Sequence, residues 1–162
     1  MSWLKKITQK NNVLTNKPTK KERIKDITYP PKVILAWTKA LQGHTEISLW
    51  LNENGYKELV VASSAILLKQ EARDWLMKNG YPHLMAMINA AEGDENAQKW
   101  LLKYNFNLLY HIAMVAEYNN ESMIWLKQHA TPDLYMLALA IRDVKDKIED
   151  NHNDIHSYGR DL

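Results

Sequence analysis

The residues able to do chemistry in this chain are few and scattered. His152 and His156 stand four apart beside Asp150 and Asp154. On a helix that spacing turns two imidazoles to one face, as a divalent ion would require. They fall in a polar C-terminal stretch with no third ligand fixed by a fold, so no metal is expected there. Ser63 and Ser64 have no base at a recognisable spacing. Glu71 with Asp74, and Glu117 with Glu121, are carboxylates of solvated helix faces rather than an acid–base pair. His44 reads as a turn residue and His83 as a solvated residue of a first helical turn. His129 reads as a residue at a helix C-terminus, where the dipole favours a cation. There is no cysteine, which excludes disulfides, thiolate zinc sites and a cysteine nucleophile and suits a reducing cytosol. Five glycines in 162 residues leave little for a phosphate-cradling loop. The expectation is a protein that is not an enzyme and needs no cofactor.

Such residues matter only where a fold positions them, and the fold is written in a repeat. Tryptophan falls at 50, 75, 100 and 125, each followed by leucine. The same period of 25 aligns Leu59, Leu84, Leu109 and Leu134, then Ala65, Ala90, Val115 and Ala140, then Ile47, Ala72, Ala97 and Ser122. Within a unit, Ala72, Trp75 and Leu76 lie at i, i+3 and i+4, one face of a helix. The column Gly55, Gly80, Asn105, Ala130 marks where that helix stops, because Gly and Asn tolerate a left-handed residue. Pro82 and Pro132 open a second helix, where a missing N–H costs nothing. Two helices this short cannot bury their own apolar stripes, so the units must stack. The expected fold class is all-α, an α-solenoid of about four and a half stacked two-helix repeats. The Trp-Leu pairs are expected in the core.

The ends differ in charge. Residues 1–33 hold nine Lys/Arg against two acids, a balance of +7, and residues 34–162 balance to −5. The expected organisation is a basic N-terminal arm over 1–31, a helical-repeat domain over 32–150 and a polar C-terminal tail over 151–162. A short helix is expected through Lys20–Asp26. No apolar run reaches the length of a membrane span, and residues 1–7 lack the apolar core of a secretory signal. A cytoplasmic location is therefore expected.

The segment Ala40-Leu-Gln-Gly-His-Thr-Glu-Ile-Ser-Leu-Trp-Leu-Asn-Glu-Asn-Gly-Tyr56 resembles the inner-helix end, Gly-His turn and outer helix of an ankyrin repeat. Ala90-Ala-Glu-Gly-Asp-Glu-Asn-Ala-Gln-Lys-Trp-Leu-Leu102 carries the same pattern, and Thr131-Pro-Asp-Leu134 echoes the Thr-Pro-Leu opening of that family's first helix. The resemblance spans about residues 30–142. The units run 25 residues against about 33 in ankyrin repeats, so they lack the β-turn finger. The resemblance implies protein–protein interaction through the inner, Leu-column helices.

On those helices the variable columns are rich in Met and Tyr, residue types favoured at interfaces. Met85, Tyr110, His111, Met114, Tyr135 and Met136 form the expected partner-binding strip, with burial between two layers as the competing reading. The partner is expected to be another protein, and a homodimer would use the same strip. The alternative is nucleic-acid binding through Lys5, Lys6, Lys20, Lys21, Arg23 and Lys25, whose phosphate contacts would weaken steeply with salt.

Overall fold

The computed structural model describes residues 26–157, with side chains as far as Asn153. Among the described residues there are nine helices and no strand. α1 (Pro31–Leu41), α3 (Lys57–Ile66), α5 (Pro82–Ala91), α7 (Asn107–Ala116) and α9 (Pro132–Ser157) are the inner helices. α2 (Thr45–Glu53), α4 (Gln70–Lys78), α6 (Glu95–Lys103) and α8 (Asn120–His129) are the outer ones. From α2 onward, every inner helix and every outer helix starts 25 residues after the one before it.

The turns repeat as faithfully as the helices. After α1, α3, α5 and α7 the chain passes through a left-handed residue, Gly43, Leu68, Gly93 and Tyr118 in turn. The next N–H then reaches back five residues, as in His44 to the Lys39 carbonyl (3.1 Å) and Asn119 to Met114 (3.0 Å). This is the Schellman ending, which satisfies the orphan carbonyls of a helix C-terminus. After α2, α4 and α6 the left-handed residue is Gly55, Gly80 or Asn105, as the sequence predicts, whereas Ala130 is extended. Leu68 and Tyr118 are not glycine, and a left-handed Cβ costs about 1–2 kcal/mol. Both lie against the far end of α9. Tyr118 donates its hydroxyl hydrogen bond to Asp146 and lies 4.9 Å from the Arg142 guanidinium. Leu68 lines an apolar cavity with Ile148.

The inner helices pack in chain order, and α9 then comes back onto α1. The solenoid is therefore curved into a ring of five inner helices with four outer helices around it. Trp37, Ala62, Met87, Ile112 and Leu137 occupy one column of the repeat, and all five are fully buried. Large and small side chains in that column fill the shared interior, which a flat file of hairpins would not provide. Leu51, Leu76, Leu101 and Leu126, the leucines of the Trp-Leu pairs, are buried beneath the outer helices.

Five expectations are corrected, the last of them, Met85, in the next section. The first concerns the tryptophans of the Trp-Leu pairs, of which Trp100 is buried while Trp50, Trp75 and Trp125 are half-exposed. The leucines carry the core. The tryptophans form a belt instead: Trp50, Trp75 and Trp100 stack on the aromatic residue six positions later, as in Trp75 on Tyr81 at 5.8 Å and Trp100 on Phe106 at 5.6 Å, and Trp125 stacks on His111 and His129. Second, the arm ends before residue 31. Asp26 accepts hydrogen bonds from the Leu108 and Leu109 N–H groups, capping α7 from 82 residues away in sequence. The Tyr29 hydroxyl donates to Glu58 in α3 at 2.8 Å, so residues 26–30 cross the N-terminal ends of the inner helices. Third, α9 continues through residue 157, where a tail over 151–162 was expected. The fourth is His83, treated below. The expected helix through Lys20–Asp26 lies outside the described residues apart from Asp26.

Candidate interaction surface

The direction in which each column of an inner helix points can be read from its contacts. The Lys127 ammonium of α8 lies 5.2 Å over the Tyr135 ring of α9. The column Leu35, Val60, Met85, Tyr110, Tyr135 therefore faces the outer helix that precedes. His111 of α7 shares a 2.9 Å hydrogen bond with Ser122 of α8 and stacks on Trp125 at 4.0 Å. The column Ala36, Val61, Ala86, His111, Met136 faces the outer helix that follows.

These directions decide the expected strip. Met85 is 3% exposed; the outer layer covers it and it offers nothing to a partner, which corrects that part of the expectation. Tyr110, His111, Met114 and Tyr135 are half-buried, and the first, second and fourth make the interlayer contacts just described or adjoin them (Tyr110 to His111, 5.1 Å). Met136 alone is open, at 48%. The six residues do not form a common free face.

What is free is a seam. Five inner helices in a ring have five grooves for outer helices, and the described chain fills four. Among the described residues, the groove without an outer helix is the one between α9 and α1. Leu35 on α1, in the column that a preceding outer helix covers, is 41% exposed, and Met136 on α9 is its counterpart on the other bank. In the same two columns on α5, Met85 and Ala86 are buried. Ile47 of α2 is half-exposed where Ala72, Ala97 and Ser122 are buried. Next to the seam a shallow apolar bowl of about 320 Å3 is lined by Leu35, Ala36, Ile47 and Trp50 between Lys32 and Lys39, with the Lys32 ammonium 5.4 Å over Trp50.

A second, smaller cavity of about 150 Å3 sits where the end of α9 crosses α3 and α5, lined by Ile66, Leu68, Ile88, Ala91, Ile141 and Ile148. At or beside its rim, Arg73 pairs with Glu92 and Lys145 with Glu117.

The groups screened for chemistry have structural explanations. The Ser63 hydroxyl donates to the Leu59 carbonyl (3.0 Å). Asp74 accepts from Gln70 at 3.0 Å. His129 donates from Nδ1 to the Trp125 carbonyl at 3.0 Å and stacks on that indole at 4.8 Å. His83, expected to be solvated, stacks on Phe106 at 5.5 Å, and burial pushes its pKa down to about 4. Tyr81, at the start of its own helix, lies on one side of it, and Phe106, from the next unit, on the other. Burial and a neighbouring His129 also lower His111. Burial raises the Asp26 carboxyl, against the pull of the N–H groups it caps. Burial and the Glu58 carboxylate raise the Tyr29 phenol. Among the described residues no group of three or more His, Asp or Glu gathers as metal ligands would, and no helix is long and apolar enough to cross a membrane. His156 and the basic residues Lys5, Lys6, Lys20, Lys21, Arg23 and Lys25 lie outside the described residues. Compared with family models, curated proteins and solved structures, the chain matches none.

One signal in the sequence marks the seam. Leu35 belongs to the same column as Met85 and Tyr110, and it stands on the only inner helix of the repeat with no Trp-Leu helix directly before it.

Proposed function

We propose that this chain is a non-catalytic protein-interaction module of ankyrin-like helical pairs, and that its binding surface is the seam between α9 and α1. The observation that carries this reading is the pair Leu35 and Met136, the only exposed members of columns that the outer layer otherwise covers. Apolar side chains held open along a groove between two helices suit a helix of a partner laid into it. Lys32 and Lys39 flank Leu35, so an amphipathic segment with acidic flanks fits best, since complementary charge steers association and fixes register.

The test is retention of proteins from a nuclease-treated lysate by the wild-type chain, by Leu35→Glu with Met136→Glu, and by Tyr110→Ser with Tyr135→Ser. All three are first checked for the wild-type helical circular dichroism. The seam reading expects a protein retained by wild type and lost by the Glu double variant. Retention lost only with the Tyr double variant returns the site to the interlayer strip. Equal retention by all three contradicts both.

A further inference from the structure

We infer that the cavity under the end of α9 is a binding site for a small apolar molecule carrying one positive charge, such as an arylalkylamine. Its walls set the size and the apolar character. Ile66 and Leu68 from the end of α3, Ile88 and Ala91 from the end of α5, and Ile141 and Ile148 from α9 enclose about 150 Å3. Apolar walls of that extent accept a hydrocarbon ring the size of benzene and give water no polar partner. Leu68 joins the wall from a costly backbone. At the equivalent turns after α1 and α5 the chain uses Gly43 and Gly93, and Leu68 holds the same left-handed conformation, φ +67°, with a side chain. Residues other than glycine held there collect at ligand clamps and other functional sites.

The rim sets the charge. α3 and α5 end at the cavity, so their dipoles turn partial negative charge towards it. Neighbouring helix ends show cations taking that place. Arg73 donates from Nε to the Ala65 carbonyl of α3 at 3.2 Å, and Lys145 donates from Nζ to the Ala116 carbonyl of α7 at 3.4 Å. At the end of α5 the side-chain donor is neutral, the Gln98 amide on the Ala90 carbonyl at 3.2 Å. Both rim cations are already paired, Arg73 with Glu92 and Lys145 with Glu117. Glu149, which lines the cavity, makes no ion pair among the described residues. The rim thus carries three carboxylates against two cations, and an ammonium group on the ligand completes it. The cavity shares no residue with the seam or the bowl beside it, so the inference holds whether or not a partner takes the seam.

Benzylamine, benzyl alcohol and benzoate share a ring and differ in charge at neutral pH, so they separate apolar fit from charge preference. Each is titrated into the full chain while isoleucine methyl resonances are followed. With benzylamine, Ile66, Ile88 and Ile141 should shift and saturate, and Ile112, in the ring's interior, should not. Benzylamine should bind about threefold more tightly than benzyl alcohol, as one exposed ion pair allows, and benzoate more weakly than either. Glu149→Gln should remove the threefold difference and leave benzyl alcohol unchanged. Ala91→Leu, which fills the cavity, should weaken benzylamine and benzyl alcohol at least about tenfold, roughly the contribution of one buried apolar side chain. Leu68→Gly removes the wall with a residue suited to the left-handed turn. It should weaken both probes with helical circular dichroism unchanged, and it carries the test if Ala91→Leu does not fold. No saturable shift at the three cavity methyls overturns the inference. So does benzyl alcohol or benzoate binding as tightly as the amine, or an affinity that the cavity variants leave unchanged.

Discussion

α5 and the seam are built from the same columns and end in opposite conditions. On α5, Pro82, Met85 and Ala86 are buried, because outer helices flank it on both sides. On α9 the equivalents Pro132 and Met136 are exposed, and on α1 Leu35 is exposed. The side chains are as apolar in one place as in the other. What differs is the number of neighbours, so in a repeat protein burial belongs to the position in the array rather than to the residue type. An open position at the end of an array is where a repeat fold can bind something without disturbing its core.

The difference is measurable by substitution. Trp100→Ala should cost about 3–5 kcal/mol, the usual loss for a buried indole, whereas Trp50→Ala, half-exposed in the first unit, should cost markedly less in the same urea titration. Equal costs would show that the tryptophan column is core throughout.

His83 lies on the closed side and gives that region an acid sensitivity. Its folded pKa is about 4 against an ordinary 6.5. Between those values the unfolded chain takes up a proton that the folded chain refuses. Stability from this group is therefore complete above pH 6.5 and falls as the pH drops towards 4, by up to about 3 kcal/mol. His83→Phe should flatten the profile of unfolding midpoint against pH over that window; an unchanged slope would place the acid sensitivity elsewhere.

Asp26→Ala removes the cap that residues 26–30 place on α7 and should cost about 1 kcal/mol. Hydrogen exchange should show the loss at the Leu108 and Leu109 amides rather than along α1. At the small end, Met136→Ala should cost less than about 1 kcal/mol, because an exposed side chain leaves no cavity. A loss equal to that of Leu101→Ala, which should cost about 2–5 kcal/mol, would mean that the seam is covered.

The sequence made the unit legible and left the array unread. The period of 25, the helix starts and the left-handed turns at Gly55, Gly80 and Asn105 follow from local chemistry and stand in the structure as the columns predict. Ring closure does not, because it depends on how five helices share the interior that Trp37, Ala62, Met87, Ile112 and Leu137 fill together. No single unit contains that information. The burial of Met85, one member of the candidate strip, could not be read for the same reason. Met85 and Met136 look alike in sequence, and only the count of five inner against four outer helices separates them. The burial of His83 does not show in its own unit because the ring stacked on it, Phe106, belongs to the next one.

The central claim is that α9 returns to α1. Spin labels at Leu35→Cys and Met136→Cys, on an otherwise cysteine-free chain, measure it directly by pulsed electron resonance. With helices packing 8–10 Å apart, a closed ring predicts a distance below about 20 Å. An open file, with four inner-helix steps between the labels, would give more than about 30 Å and would contradict the ring and the seam with it.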